Sequence, residues 1–212
     1  MKRIKILILL LTILLVNDSL VAQSKNESGQ FTLGVRSTSS LFTDAGSPGS
    51  GIGGMFRIRM GKRVNTEWFA DYLTTNLQNL GYRRDGHIGW SVLFYLSKEP
   101  MQAKKLSPFL IAGHCFDYTK VYVLSDKKNE DRWSSAVQMG VGTHYNLTEK
   151  FDVSLTAQYM SHLGADLHSH IEEENGVKKL EIAKHGGAGL EGHLLITLSL
   201  NYRLGNLWRS KK

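Results

Sequence analysis

The chain has 212 residues, with 26 Lys and Arg against 19 Asp and Glu for a formal net charge of +7. The basic excess is scattered rather than gathered into a stripe, which excludes a nucleic-acid footprint. The single cysteine, Cys115, excludes an internal disulfide and a thiolate-based zinc cluster.

Met1-Lys2-Arg3-Ile4-Lys5 is basic, residues 6–16 are apolar but for Thr12, and a polar stretch closes on Leu20-Val21-Ala22. This is the three-part layout of a secretory signal, with Ala22 as the small residue before cleavage. The apolar run is shorter than the roughly 20 residues of a spanning helix. Residues 1–22 are therefore read as a signal peptide cleaved before Gln23, and the loss of Lys2, Arg3, Lys5 and Asp18 leaves a formal charge of +5. The junction carries no Cys, so a lipid anchor is not expected. Residues 23–28 form a short linker. Beyond them no stretch is apolar for 18 residues, so no transmembrane helix is expected either.

From residue 29 onward the signal is a two-residue alternation. Phe31, Leu33 and Val35 oppose Arg36. Ile52, Phe56, Ile58 and Met60 oppose Arg57 and Arg59, and Trp68, Ala70 and Tyr72 oppose Glu67 and Asp71. Ile88, Trp90, Val92, Phe94 and Leu96 oppose His87, Gly89 and Ser91, although Leu93 and Tyr95 blur that segment. The stretch 109–118 is apolar on both faces, so its facing stays open. Val137, Met139, Val141 and Tyr145 oppose Gln138, Gly140, Gly142 and His144, and Phe151, Val153, Leu155, Ala157 and Tyr159 oppose Asp152, Ser154, Thr156 and Gln158. The clearest segment is the last: Leu194, Ile196, Leu198, Leu200 and Tyr202 against Thr197, Ser199, Asn201 and Arg203.

These patterns predict eight antiparallel strands near 29–42, 51–60, 64–75, 86–97, 107–122, 134–146, 150–162 and 190–204. Each is long enough to cross a hydrocarbon layer at a tilt, which takes about 9–11 residues. Outer-membrane barrels alternate short turns on one side with longer loops on the other. Here 61–63 and 147–149 are short and 98–106 is of middle length, whereas 43–50, 76–85, 123–133 and 163–189 read as long polar loops. A soluble lipocalin-like barrel would also alternate, but with charges outward. Aromatics near segment ends, among them Phe31, Phe42, Tyr72, Trp90, Trp133, Tyr145, Phe151, Tyr159 and Tyr202, fit two interfacial girdles. The polar face is rich in small and hydrogen-bonding groups rather than Lys and Glu. The expected fold is an all-β, eight-stranded up-and-down transmembrane barrel over 29–205, followed by a basic tail over 206–212.

The order of features, with Ser107-Pro108-Phe109-Leu110-Ile111-Ala112-Gly113 at the fifth strand and Leu198-Ser199-Leu200-Asn201-Tyr202-Arg203 at the last, resembles the OmpA-type small outer-membrane barrels of the porin family. The resemblance implies a place in the bacterial outer membrane, contact with its lipid and insertion by the barrel-assembly machinery. Such barrels usually end on an aromatic residue, whereas here 204–212 follows Tyr202; Trp208 takes that role or the tail is tolerated.

With the apolar set facing lipid, Arg36, Arg57, Arg59 and Arg203 point inward with Glu67, Asp71 and Asp152. An eight-stranded barrel is just wide enough for side chains to fill. Paired charges would close it, so a wide channel is not expected.

Other candidate chemistry is local. His162, His168, His170 and His185, with Glu172-Glu173-Glu174 among them, fall in the longest connection. His168, His170, Glu172 and His185 are candidate zinc or copper ligands, since His168-x-His170 would aim two rings the same way on an extended chain. The alternative is a polar surface loop that happens to contain histidine. Ser161, His162 and Asp166 are the residue types of an acyl hydrolase, but residues close in sequence need not meet. The glycine clusters 51–54 and 186–189 lack the following helix that a phosphate cradle needs. Cys115 reads as a small buried residue.

No cofactor is expected, and the leading expectation is a non-enzymatic envelope protein acting through exposed loops on a ligand or surface. The alternatives are a transporter of small or apolar solutes, a lipid A acyl hydrolase and a periplasmic ligand-binding barrel.

Overall fold

The computed structural model describes residues 28–42, 48–174, 176–189 and 192–208. The predicted signal peptide, most of the linker, residues 43–47 of the first connection and the end of the tail lie outside these residues. The described residues form nine strands: β1 (Gln30–Phe42), β2 (Gly49–Arg59), β3 (Val64–Leu77), β4 (Gly81–Tyr95), β5 (Leu106–Val123), β6 (Asn129–Asn146), β7 (Phe151–Glu174), β8 (Val177–Gly189) and β9 (Gly192–Asn206). Neighbours pair antiparallel from β1 to β7, then β7 pairs with β9 and β9 with β1. The sheet thereby closes into the expected eight-stranded barrel, leaving β8 outside the ring with β7 as its partner.

Closure follows from the pattern that predicted it. Along β9, Leu194, Leu198 and Leu200 are exposed on the outer wall, while His193, Leu195, Thr197, Ser199, Asn201 and Arg203 are buried within. Every barrel strand repeats this, because successive side chains point to opposite faces. The outward belt includes Val35, Ile52, Ile88, Met139, Val141 and Leu155, each more than half exposed. Aromatic rings run across neighbouring strands on this wall, with Phe56 stacked on Trp68 at 6.0 Å and Trp68 at 6.4 Å from Trp90. The blurred segment resolves the same way: Leu93 and Tyr95 turn inward and meet Phe109 and Ile111 of β5 in an apolar cluster.

Three expectations about the connections need correcting. The predicted loop 76–85 is a tight turn, with Gln78 and Asn79 at φ 53° and 62° and the Leu80 amide donating to the Leu77 carbonyl at 3.0 Å. Two successive positive-φ residues suit the primed turns of hairpins, here with Leu80 as a third residue between the paired Leu77 and Gly81, and Asn76 adds bonds of 2.7 and 2.9 Å to Asn79. Similarly, 123–133 shrinks because β6 begins at Asn129. The segment 163–189 is largely a hairpin of β7 and β8, in register from Asp166↔His185 to Glu174↔Val177. By contrast 96–105, between β4 and β5, is the longest connection at the opposite end of the barrel, so the short-turn rule that supported the topology does not describe loop lengths here.

The barrel thus has a turn end, with connections 60–63, 96–105 and 147–150, and a hairpin end. At the turn end the Leu207 amide donates to the Gly29 carbonyl at 2.8 Å, and β9 extends two residues past the expected end at 204, to Asn206. At the hairpin end β7 bends at a register shift beside Gly164, whose φ of 135° a side chain would strain. The bend lays one face of the hairpin across the barrel mouth: Leu167 and Leu180 pack on Leu77, Val121 and Val123, with Leu80, Ile171 and Ile182 around them. Gly81 permits the approach, because a Cβ there would stand 2.4 Å from Leu180 Cδ2.

Candidate functional site

Two regions carry concentrated chemistry, the barrel interior and the exposed face of the hairpin. The seven inward charges expected from alternation, Arg36, Arg57, Arg59, Glu67, Asp71, Asp152 and Arg203, are all buried within the barrel. Arg57 Nη2 donates to Glu67 Oε2 at 2.9 Å, and Arg36 reaches Glu67 at 3.3 Å and Asp71 at 3.1 Å. Asp152 joins them, 3.7 Å from Arg57, 3.3 Å from Arg203 and 3.1 Å from His144, and accepts a 2.7 Å bond from Asn201 Nδ2. Arg203 also bonds Asn146 Oδ1 and the Glu149 carbonyl. Arg59 donates to the carbonyls of Gly61 and Lys62 at 3.0 Å. The ion pairs thus set the guanidiniums of Arg36, Arg57 and Arg203 against the carboxylates of Glu67, Asp71 and Asp152. Buried ions need this kind of pairing, since removing one partner leaves an uncompensated charge. The Arg36 guanidinium also lies 4.4 Å from the Phe69 ring centroid, a cation–π placement.

A second buried network, toward the hairpin end, was not anticipated. His87 Nε2 and His162 Nδ1 lie 3.1 and 3.3 Å from the two oxygens of Asp117, and the Ser134 hydroxyl is 3.0 Å from His162 Nδ1. Thr119 Oγ1 stands 3.0 Å from Asp117 and 2.8 Å from Asp85, which accepts a 2.9 Å bond from Arg83 Nε. His193 completes the group, its ring centroid 4.9 Å from that of His162 and 6.0 Å from that of His87. Asp71 stands opposite His87 in the β3–β4 register, so the two networks meet on that side. Elsewhere Met55, Phe69, Cys115, Ala136, Met160 and Leu195 pack as an apolar cluster, which bears out Cys115 as a buried small residue.

His162, the last residue of the expected strand 150–162, belongs to the barrel part of β7. Ser161 and His162 are successive strand residues on opposite faces, which separates the two members of the hydrolase alternative whose side chains are described. A Ser–His contact does exist on the outer wall, where Ser135 Oγ lies 2.6 Å from His114 Nε2. That contact satisfies two polar groups against an apolar surface; acyl transfer would further need a group orienting the imidazole and oxyanion donors.

The hairpin sorts the proposed metal ligands. Leu167, Ser169 and Ile171 face the mouth with Leu180 and Ile182, which leaves His168, His170 and Glu172 on the other face. His170 Nε2 is 3.4 Å from Glu172 Oε1, and Glu181, opposite His170 in the register, brings a second carboxylate. The ligand atoms of His170, Glu172 and Glu181 lie within 4.8 Å of one another. Glu181 was missed because a lone acidic residue carries no local ligand signal, and it joins His170 and Glu172 only through β7–β8 pairing. His185 pairs with Asp166 in the backbone register, but the side chains of both lie outside the described ones.

An interior filled by paired charges inside an apolar-walled ring of eight strands defines a small barrel of the outer-membrane type. Solved structures similar to this chain include outer-membrane barrels. A major outer membrane protein of Thermus thermophilus matches across 82% of this chain and 99% of its own, at 12% identity and a TM-score of 0.53. AlkL, solved in lipid bilayers, matches across 92% and 100% at 10% identity and 0.52. Ail of Yersinia pestis, solved with the heparin analogue sucrose octasulfate, matches across 84% and 99% at 12% identity and 0.50. At these identities the likeness is one of fold. No protein-family model matches the chain, and no curated protein matches it.

Proposed function

We propose that the chain is an integral outer-membrane protein, exported by residues 1–22 and inserted by the barrel-assembly machinery. Its lumen is closed, and the hairpin end is its outward working surface. The observation that carries this reading is the filled interior inside an apolar wall. Charges from β1, β2, β3, β7 and β9 meet across the lumen, and the leucines of the hairpin cover the mouth. A solvated exterior of the lipocalin kind would not place Ile52, Ile88 and Leu198 outward. The role is structural or adhesive, through an extracellular ligand or surface held by the hairpin and neighbouring connections. No catalytic step and no cofactor is assigned to it. The separation of Ser161 from His162 supports that reading.

Planar-bilayer recording tests the closed lumen. The refolded protein is expected to add no conductance steps to the lipid baseline. Discrete, reproducible steps would overturn it in favour of the transporter reading.

A further inference from the structure

We infer that the exposed face of the β7–β8 hairpin is a binding site for a divalent first-row transition metal, with His170, Glu172 and Glu181 as ligands. The inference deepens the proposal that the hairpin is the working surface, by naming the ligand class it takes. Three observations carry it. Ligand atoms from one imidazole and two carboxylates converge within 4.8 Å, from two strands held in register by the hairpin. In a tetrahedral zinc site with bonds of about 2.0–2.2 Å, such atoms stand about 3.4 Å apart. The His170–Glu172 pair is at that distance already. Glu181 is exposed and stands opposite His170 in the register, so a side-chain rotation is the movement that would bring its carboxylate to the pair. The opposite hairpin face is anchored on Leu77, Val121 and Val123, so the ligands stand on a supported strand pair rather than on a free loop. A site of this kind is better preorganised than the same residues on a flexible chain.

The chemistry selects the ion. An imidazole with two carboxylates suits zinc or copper, whereas calcium takes oxygen ligands and would leave the His170 imidazole unused. Three protein ligands leave the fourth tetrahedral position to water on an exposed surface. Glu172 stands in register with Lys179, so the ion competes with an ammonium for that carboxylate. Exposed ion pairs of this sort contribute little and yield readily.

The test is calorimetric titration of Zn2+ into the folded full chain in detergent micelles, with a heat-dependent gel shift confirming that each variant is folded. The wild type is expected to bind one equivalent saturably, with no saturable response to Ca2+. Affinity should fall by about tenfold or more in both His170→Ala and Glu181→Gln, and stay unchanged in His114→Ala, on the distant outer wall. Equal zinc affinity in the wild type and the two ligand variants, or equal response to calcium, overturns the site. Because the titration reads a folded barrel in micelles, its failure leaves the membrane and closed-lumen reading intact, and a missing gel shift would be the sign of that reading failing instead.

Discussion

Replacing Glu67 with alanine is expected to destabilise the barrel by about 3–5 kcal/mol, the cost of breaking a buried ion pair from one side. Glu67 bridges Arg57 at 2.9 Å and Arg36 at 3.3 Å. Both guanidiniums are almost wholly buried, so neither can turn to water once the carboxylate is gone. Asp71 and Asp152 remain, but they already serve Arg36, Arg57 and Arg203. Three cations would then face two anions inside a closed ring. The double change Arg57→Leu/Glu67→Leu is expected to cost less than Glu67→Ala, because removing both partners avoids the stranded charge. Urea unfolding in phospholipid vesicles, read by tryptophan fluorescence, gives both values. A Glu67→Ala loss below about 1 kcal/mol would match an exposed pair and contradict the buried network.

The second large effect is on the outer wall. Leu198→Arg is expected to cost about 2–4 kcal/mol in a bilayer, the penalty for a cation at mid-depth on the lipid face of a barrel. Leu198 stands at the middle of the outward apolar row of β9, paired with Ser37 on one side and Leu155 on the other. It is 54% exposed in the protein alone, so in a water-soluble barrel the same change would be nearly neutral. Val177→Arg, on the exposed hairpin, is expected to stay within about 0.5 kcal/mol. Refolding yield and urea midpoint in vesicles compare the two. Equal, small effects would deny the wall its lipid.

What could be read in advance follows the membrane. Where the wall is apolar, as at Leu194 to Tyr202, alternation alone assigns each face, and the seven inward charges came out buried together. Outside the apolar belt the same strands continue with polar residues on both faces. Tyr82, Arg83, Arg84 and Asp85 belong to β4, yet their composition is that of a loop. The hairpin was hidden for the same reason, although Leu167, Ile171, Leu180 and Ile182 already marked its inner face. Asp117 escaped because Phe109 and Ile111 face inward into an apolar cluster, making β5 apolar on both sides. Parity with Ser107 and Thr119, both buried inward, would have assigned it. The histidines at 87, 162 and 193 meet only through strand order around the ring, which no local pattern carries.

The central claim, an apolar-walled closed barrel held in the outer membrane, is tested most directly by washing membranes of expressing cells with alkaline carbonate. The pellet is then run on a gel with and without boiling. The protein is expected to stay in the pellet and to migrate differently when unheated, as a folded barrel does. Release into the wash, with a single heat-independent band, would contradict the account.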